Sequence, residues 1–146
     1  MELKNTPFPV LLGLAHRLAE RKFMQIIDQL KLDLTFDQFM VLMPIWKKEG
    51  INQQQVVEGC GKDKTSVTRI ITTLENKNLL VRIKDSTDGR LNNIHLTKKG
   101  KKIIDKVNPV MQETRKYIKK NINEDDFNIA RSVMIQLIEG LDSKNG

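Results

Sequence analysis

The chain has 146 residues, of which 39% are hydrophobic and 29% are charged. This is the composition of one folded domain, and it excludes a disordered or collagen-like chain. No run of apolar residues approaches the roughly 18 that a membrane span needs, so we expect no membrane partner. A formal net charge of +7 suits a polyanionic partner.

The first third of the chain is predicted to form two helices. Residues 1–9 lack the basic start and apolar stretch of a secretion signal, which predicts a cytoplasmic protein. Apolar residues then recur at helical spacing over about residues 9–30. Thr35, followed three residues later by Gln38, is a capping box that is typical of a helix start. Pro44 lies inside this second helical pattern and is expected to bend or break the helix.

Two shorter helices are predicted next, joined by a tight turn that contains glycine. Asn52 and Gln55 repeat the capping-box pattern and predict a third helix over about residues 53–58. Asp63 is a good N-cap, and it predicts a fourth helix at Lys64–Asn76.

A hairpin and two further helices complete the chain. The runs 79–84 and 91–96 flank a polar turn and predict two antiparallel strands. A long helix is expected from about Lys98, with a kink at Pro109. The last helix is expected after Asn123, where three acidic residues suit the positive end of the helix dipole.

Two helices joined by a tight turn and followed by a hairpin are typical of a winged helix-turn-helix. We therefore predict a mainly α fold with a small antiparallel β wing, together with a helical dimerisation region. In the fourth helix the apolar residues share one side, and the opposite side is short, rich in hydroxyls and basic. Such side chains fit close to base edges in the major groove of DNA, although a solvated helix rich in threonine stays an alternative. The predicted major-groove residues are Thr65, Ser66, Thr68, Arg69 and Thr72.

The distribution of charge supports a nucleic-acid partner. Residues 59–99 contain nine cationic and four acidic side chains, so most of the net charge falls in this stretch. We expect Lys62 and Lys64 to contact the DNA backbone, and binding to weaken steeply with salt.

Several segments of the chain resemble the MarR family of transcription regulators. The resemblance covers nearly the whole chain and is specific over residues 35–100. The matching segments are residues 34–39, 62–71, 74–80, 88–90 and 94–100.

The resemblance implies a homodimer whose recognition helices enter successive major grooves of a pseudo-palindromic operator in double-stranded DNA. It also implies that Arg90 at the wing tip enters the minor groove and that Asp88 braces it. Most members repress a nearby gene, many release DNA when a small-molecule effector binds, and no cofactor is implied. Asn78 departs from the usual glycine of the family, but asparagine also tolerates the left-handed conformation that a helix end requires.

The outer helices are expected to form the dimer. They carry more apolar positions than such small elements can bury alone, which favours a symmetric interface; packing within one monomer is the alternative. We thus predict a single domain over residues 1–146, with a DNA-binding part at about 34–97 and a dimerisation part at about 7–30 and 98–142.

Other functions have weaker support in the sequence. A winged-helix module for protein contact, without sequence-specific DNA binding, is the alternative function. There is no glycine-rich phosphate loop or nucleophile elbow, so we expect no enzyme. His16 and His95 have no neighbour at metal-ligand spacing. Cys60 is expected to be structural, although the nearby lysines and helix start keep a redox-sensor role open.

Overall fold

The computed structural model describes residues 2–142. These residues form six α-helices, a short 3₁₀ helix at Leu3–Asn5 and three short strands. The predicted mainly α fold with a β wing is confirmed. The bounds are α1 Phe8–Gln29, α2 Phe36–Lys47, β1 Ile51–Asn52, α3 Gln53–Cys60, α4 Lys64–Asn76, β2 Leu80–Lys84, β3 Asn92–Leu96, α5 Lys98–Lys119 and α6 Glu124–Leu141.

The predicted helix starts are confirmed by their capping hydrogen bonds. The Thr35 hydroxyl accepts from the Gln38 backbone N–H at 3.1 Å, and the Gln38 side chain accepts from the Thr35 N–H at 3.2 Å. Asn52 forms the same capping box at the start of α3. Asp63 and Asn123 cap α4 and α6 through 2.8 Å bonds. These caps satisfy N–H groups that the first turn of a helix leaves without partners.

α2 and α3 differ from the predictions in two details. α2 is not broken at Pro44 but continues to Lys47. The proline removes only one backbone hydrogen bond, and its ring packs against α3, where a Cβ on Gly59 would lie 2.8 Å from the Cβ of Pro44. α3 extends to Cys60 because Gly61 supplies the left-handed conformation, with φ of 67°, that ends the helix.

The sheet contains one strand that the sequence did not predict. Its order is β1-β3-β2, and both pairs are antiparallel. The short β1 pairs Ile51 with Ile94, and β2 pairs Leu80 with Leu96. Asn78, just after α4, has a φ of 58°, which is the left-handed conformation that a helix end requires.

The described chain forms two compact units, one up to Asn108 and one from Pro109 onward, and α5 crosses their boundary. The core of the first unit combines residues from α1 to α5 and the sheet. Phe23 stacks edge-on to Phe36 and at a tilt to Phe39, with ring centroids 5.3 and 4.7 Å away. The residues with no exposed area include Val41, Leu42, Ile45, Val56, Val67, Ile71, Leu74, Ile94, Ile104 and Val107.

The second unit leaves much of its apolar surface exposed. α6 has no buried residue, and its side chains at Ile138 and Leu141 are 68% and 79% exposed. The other large exposed apolar residues of this unit are Tyr117, Ile118, Ile122, Ile129, Val133 and Ile135.

No helix within residues 2–142 is long and apolar enough to cross a membrane.

Candidate nucleic-acid interface

The predicted two-sided character of α4 is confirmed. Val67, Ile71 and Leu74 are completely buried against the rest of the first unit. Four of the five predicted major-groove residues are exposed, and Ser66 is half-buried. Burial of one side fixes the helix so that the polar side faces outward. The four exposed residues are Thr65, Thr68, Arg69 and Thr72.

The threonine hydroxyls on this face are already bonded to the helix backbone. Thr68 donates to the Lys64 carbonyl at 2.8 Å, and Thr72 donates to the Thr68 carbonyl at 3.0 Å. A hydroxyl has one proton and two lone pairs. Because each of the two hydroxyls has already donated its single proton, it can only accept a hydrogen bond from a further partner.

Ser66 is also engaged, in the cap of α4. Its hydroxyl donates to one Asp63 carboxylate oxygen at 2.6 Å, and its backbone N–H donates to the other at 2.8 Å. These bonds, led by the one from the hydroxyl, hold the pKa of Asp63 below its ordinary value. A base contact by Ser66 therefore competes with the cap, whereas Thr65 has no side-chain hydrogen bond within residues 2–142.

Arg82 joins β2 to α4, a contact that was not predicted from the sequence. Its Nη2 donates to the Thr72 hydroxyl at 3.0 Å, and its Nε lies 3.1 Å from a Glu75 carboxylate oxygen. The buried Nε is not aligned as a hydrogen-bond donor, so the contact with Glu75 is an ion pair. It neutralises an acid that lies on α4 itself.

The wing turn between β2 and β3 is organised by Asp85. Its carboxylate accepts from the Thr87 hydroxyl, from the backbone N–H groups of Thr87 and Asp88 at 2.8 and 3.0 Å, and from the Asn93 side chain at 2.8 Å. These bonds, led by that from the Thr87 side chain, hold the pKa of Asp85 far below its usual range. The Asp-x-Thr spacing, a common turn pattern, was the available signal in the sequence.

Asp88 and Arg90 lie together at the wing tip. Asp88 accepts from the backbone N–H of Arg90 at 3.0 Å. The carboxylate thus supports the backbone that carries Arg90, and the Arg90 side chain is exposed.

A groove of about 310 Å³ connects the wing to the starts of α3 and α4. Lys64, Arg82 and Arg90 contribute cations to its wall, and none of its lining residues is acidic. Gln53, the first residue of α3, also lines it and donates to the Thr68 hydroxyl. The groove therefore offers positive charge and amide groups directly beside the polar face of α4.

Lys62 lies outside this groove. Its Nζ is 2.8 Å from an Asp37 carboxylate oxygen, so it ties the turn before α4 to the start of α2. A phosphate contact by Lys62 stays a prediction.

Cys60 and His95 are half-buried, whereas His16 is exposed. The Cys60 thiol is half-buried and faces the Val57 carbonyl at 3.8 Å. The ring of His95 covers the backbone of Gly50, and His16 contacts the edge of Phe36. Within residues 2–142, no three or more histidine, cysteine or acidic side chains are placed to hold a metal ion.

The match to a family model decides the family. The model described as transcriptional regulator SarA/Rot matches residues 22–107, which include all of α2 to β3. The chain belongs to the SarA/Rot family of transcriptional regulators. This is a family of regulators and not of enzymes.

Relatives agree with this assignment. The regulator SarZ of Staphylococcus epidermidis is 31% identical over 108 residues, which cover 74% of this chain and 67% of SarZ. The chain spans only about half the length of other curated relatives that it matches, which are also named as transcriptional regulators.

Solved structures confirm the MarR-type fold. Apo MarR of E. coli superposes with a TM-score of 0.71 at 22% identity and covers 90% of this chain and 97% of MarR. The MepR–DNA complex of S. aureus superposes with a TM-score of 0.82 at 20% identity and covers 93% of this chain and 97% of MepR.

Proposed function

We propose that this protein is a homodimeric transcription regulator that binds double-stranded DNA in a sequence-specific manner. The observation that carries the proposal is the polar, arginine-bearing face of α4 beside a groove that contains three cations and no acid. Its short hydroxyl side chains suit a major groove, and its positive charge suits phosphates. Because the proposed partner is double-stranded DNA, we also propose that the protein is cytoplasmic.

The side chains take distinct roles in this proposal. Arg69, with Thr65, Ser66, Thr68 and Thr72, contacts base edges in the major groove. Lys62 and Lys64 contact phosphates, and exposed Arg90 at the wing tip enters the minor groove while Asp88 holds its backbone. MepR, which has a similar fold, was crystallised with DNA.

The dimer is proposed from the exposed apolar surface of the second unit. Ile138 and Leu141 are more than two-thirds exposed, and a symmetric contact between two copies would bury such residues. We propose dimerisation through residues 7–30 and 98–142 and DNA binding through residues 34–97. Two recognition helices then require half-sites about 10 base pairs apart in a pseudo-palindromic operator.

We also propose that the protein represses a nearby gene and that a small-molecule effector relieves the repression. The support is the resemblance to a family in which these properties are common.

Binding to DNA upstream of the gene, measured against a shuffled duplex across a salt series, tests the proposal. We expect a preference for the upstream DNA and a steep loss of affinity with salt. Arg69→Ala should weaken specific binding by about 5- to 150-fold, which corresponds to roughly 1–3 kcal/mol. Lys4→Ala, which removes an exposed cation outside the proposed DNA-binding and dimerisation parts, is the control.

Equal and weak binding to both duplexes at low salt would contradict sequence-specific binding. That result would favour the alternative of a protein-contact module.

A further inference from the structure

A hydrogen bond between two helices holds the side chain of Gln53 at the edge of the α4 face. Gln53 is the first residue of α3, and its amide Nε2 donates to Oγ1 of Thr68 on α4. Gln53 is half-buried, and it lines the groove that also holds Lys64 and Arg90. The amide therefore lies between the recognition helix and cations that suit phosphates.

The chemistry of Thr68 fixes which end of the amide faces it. The single proton of the Thr68 hydroxyl is donated to the Lys64 carbonyl at 2.8 Å. The hydroxyl is therefore only an acceptor toward Gln53. An amide oxygen in that place would face a lone pair, so the nitrogen must face Thr68 and the oxygen must point away from it.

The contact leaves Gln53 with the groups that recognise adenine. Its Oε1 has no hydrogen-bond partner within residues 2–142, and its nitrogen keeps a second N–H. Glutamine uses one acceptor and one donor of this kind on N6 and N7 of adenine in the major groove. Thr68, by contrast, has already given its proton to the helix.

We propose that Gln53, held in position by Thr68, recognises an adenine in each half-site of the operator. Gln53 is then a specificity-determining residue, and Thr68, in addition to its own proposed base contact, is a positioning residue for the Gln53 amide. This inference rests on the proposed function, because it requires α4 to lie in a major groove.

Selection of preferred sites from a random duplex library, followed by sequencing, tests the inference. Wild-type protein should select a motif with an adenine that Gln53→Ala no longer prefers. The discrimination lost at that position should be about 5- to 150-fold, the range for one bidentate base contact. Preferences at the other positions should persist.

Two threonine variants separate positioning from general stability. Thr68→Val removes the acceptor for Gln53 and should weaken the preference at the same adenine. Thr73→Val is the matched control, because its hydroxyl makes the same type of bond, to the Arg69 carbonyl at 3.1 Å, but none to α3. It should select the wild-type motif.

A charge-changing variant covers the case in which Gln53→Ala folds poorly. Gln53→Glu retains the side-chain length but has only acceptor oxygens when ionised, so it can donate neither to Thr68 nor to N7 of adenine, and it should lose the preference for adenine while the preferences at the other positions persist. Loss of folding, in contrast, would remove the preferences at all positions alike.

The outcomes distinguish this inference from the proposed function. A wild-type protein that selects no motif overturns both. A wild-type motif that Gln53→Ala and Gln53→Glu also select overturns only the role of Gln53.

Discussion

The ion pair between Arg82 and Glu75 is the contact through which we expect the wing strand and the recognition helix to stabilise each other. Their side chains are 25% and 32% exposed, so the pair lies between two limits. A fully solvated ion pair typically contributes about 0–1 kcal/mol to stability, whereas loss of one partner of a fully buried pair costs about 3–5 kcal/mol. Glu75→Gln should therefore lower the free energy of unfolding by about 1 kcal/mol. Arg82→Met should lower it by roughly 2 kcal/mol, because the hydrogen bond to Thr72 is also lost.

A double-mutant cycle measures the coupling between these two residues. Urea unfolding of wild type, both single variants and the double variant, followed by circular dichroism at one protein concentration, gives four free energies of unfolding. The double variant should lose about 2 kcal/mol rather than 3, a coupling energy of about 1 kcal/mol. The same cycle on Lys101 and Glu49, a more exposed pair at 2.8 Å, is the control and should give a coupling energy below about 0.5 kcal/mol.

Additive losses would refute this reasoning. If the two single effects sum to the double effect within about 0.3–0.5 kcal/mol, Arg82 and Glu75 do not stabilise each other in solution. The connection between the wing and α4 would then depend on the hydrogen bond from Arg82 to Thr72 and on apolar packing.

Three further predictions concern the wing and the start of α5. Because folding lowers the pKa of Asp85, its ionised carboxylate stabilises the folded protein at neutral pH, and this stabilisation is lost as the pH falls below the ordinary value of 3.8. Asp85→Asn should therefore make the free energy of unfolding, measured in urea at several pH values, less dependent on acid. Arg90→Ala should weaken DNA binding mainly at operators with a narrow minor groove, which is tested by comparing affinities for operators with A-tract flanks and with flanks of mixed sequence. Equal weakening on both operators would contradict the minor-groove contact of Arg90. Gly100→Ala should destabilise the protein by roughly 3 kcal/mol, because its Cβ would collide with the Leu79 carbonyl oxygen; an unchanged urea midpoint would contradict this close approach.

Most of the fold was predictable because its signals are local. Thr35, Asn52, Asp63 and Asn123 cap helices through residues three positions later, and the apolar spacing of α4 depends on helix geometry alone. The strand β1 was not predictable, because two residues show no alternation and pair only once β3 is beside them. That Pro44 does not break α2 was not predictable, because its packing against Gly59 is a tertiary contact.

The candidate site was predictable only in part, for the same reason. The helical wheel placed the exposed face of α4, which contains Thr68 and Thr72. It did not reveal Gln53 or Arg82, because their hydrogen bonds span 15 and 10 residues of sequence. Asp85 differs from these, since its bonds to Thr87 are local and the pattern was visible.

Charge along the sequence overstates the number of cations that are available for phosphate. Of the nine cationic side chains in residues 59–99, Lys62, Lys77 and Arg82 are in ion pairs, and Lys99 donates to the Lys77 carbonyl. All four acids of the same stretch are bonded within the fold, Asp63 and Glu75 at α4 and the other two in the wing.

Five cations therefore have no ion pair or side-chain hydrogen bond within the described residues 2–142, and these are Lys64, Arg69, Lys84, Arg90 and Lys98. If each contacts one phosphate, residues 59–99 of a dimer neutralise about ten phosphates, and the logarithm of the binding constant falls with the logarithm of salt concentration with a slope of about −9. The phosphate contact proposed for Lys62 requires its ion pair with Asp37 to open, and it would bring the slope to about −11. The full complement of nine cations per chain would give about −16. A measured slope near the larger value would show that the ion pairs of Lys62, Lys77 and Arg82 open when the protein binds DNA.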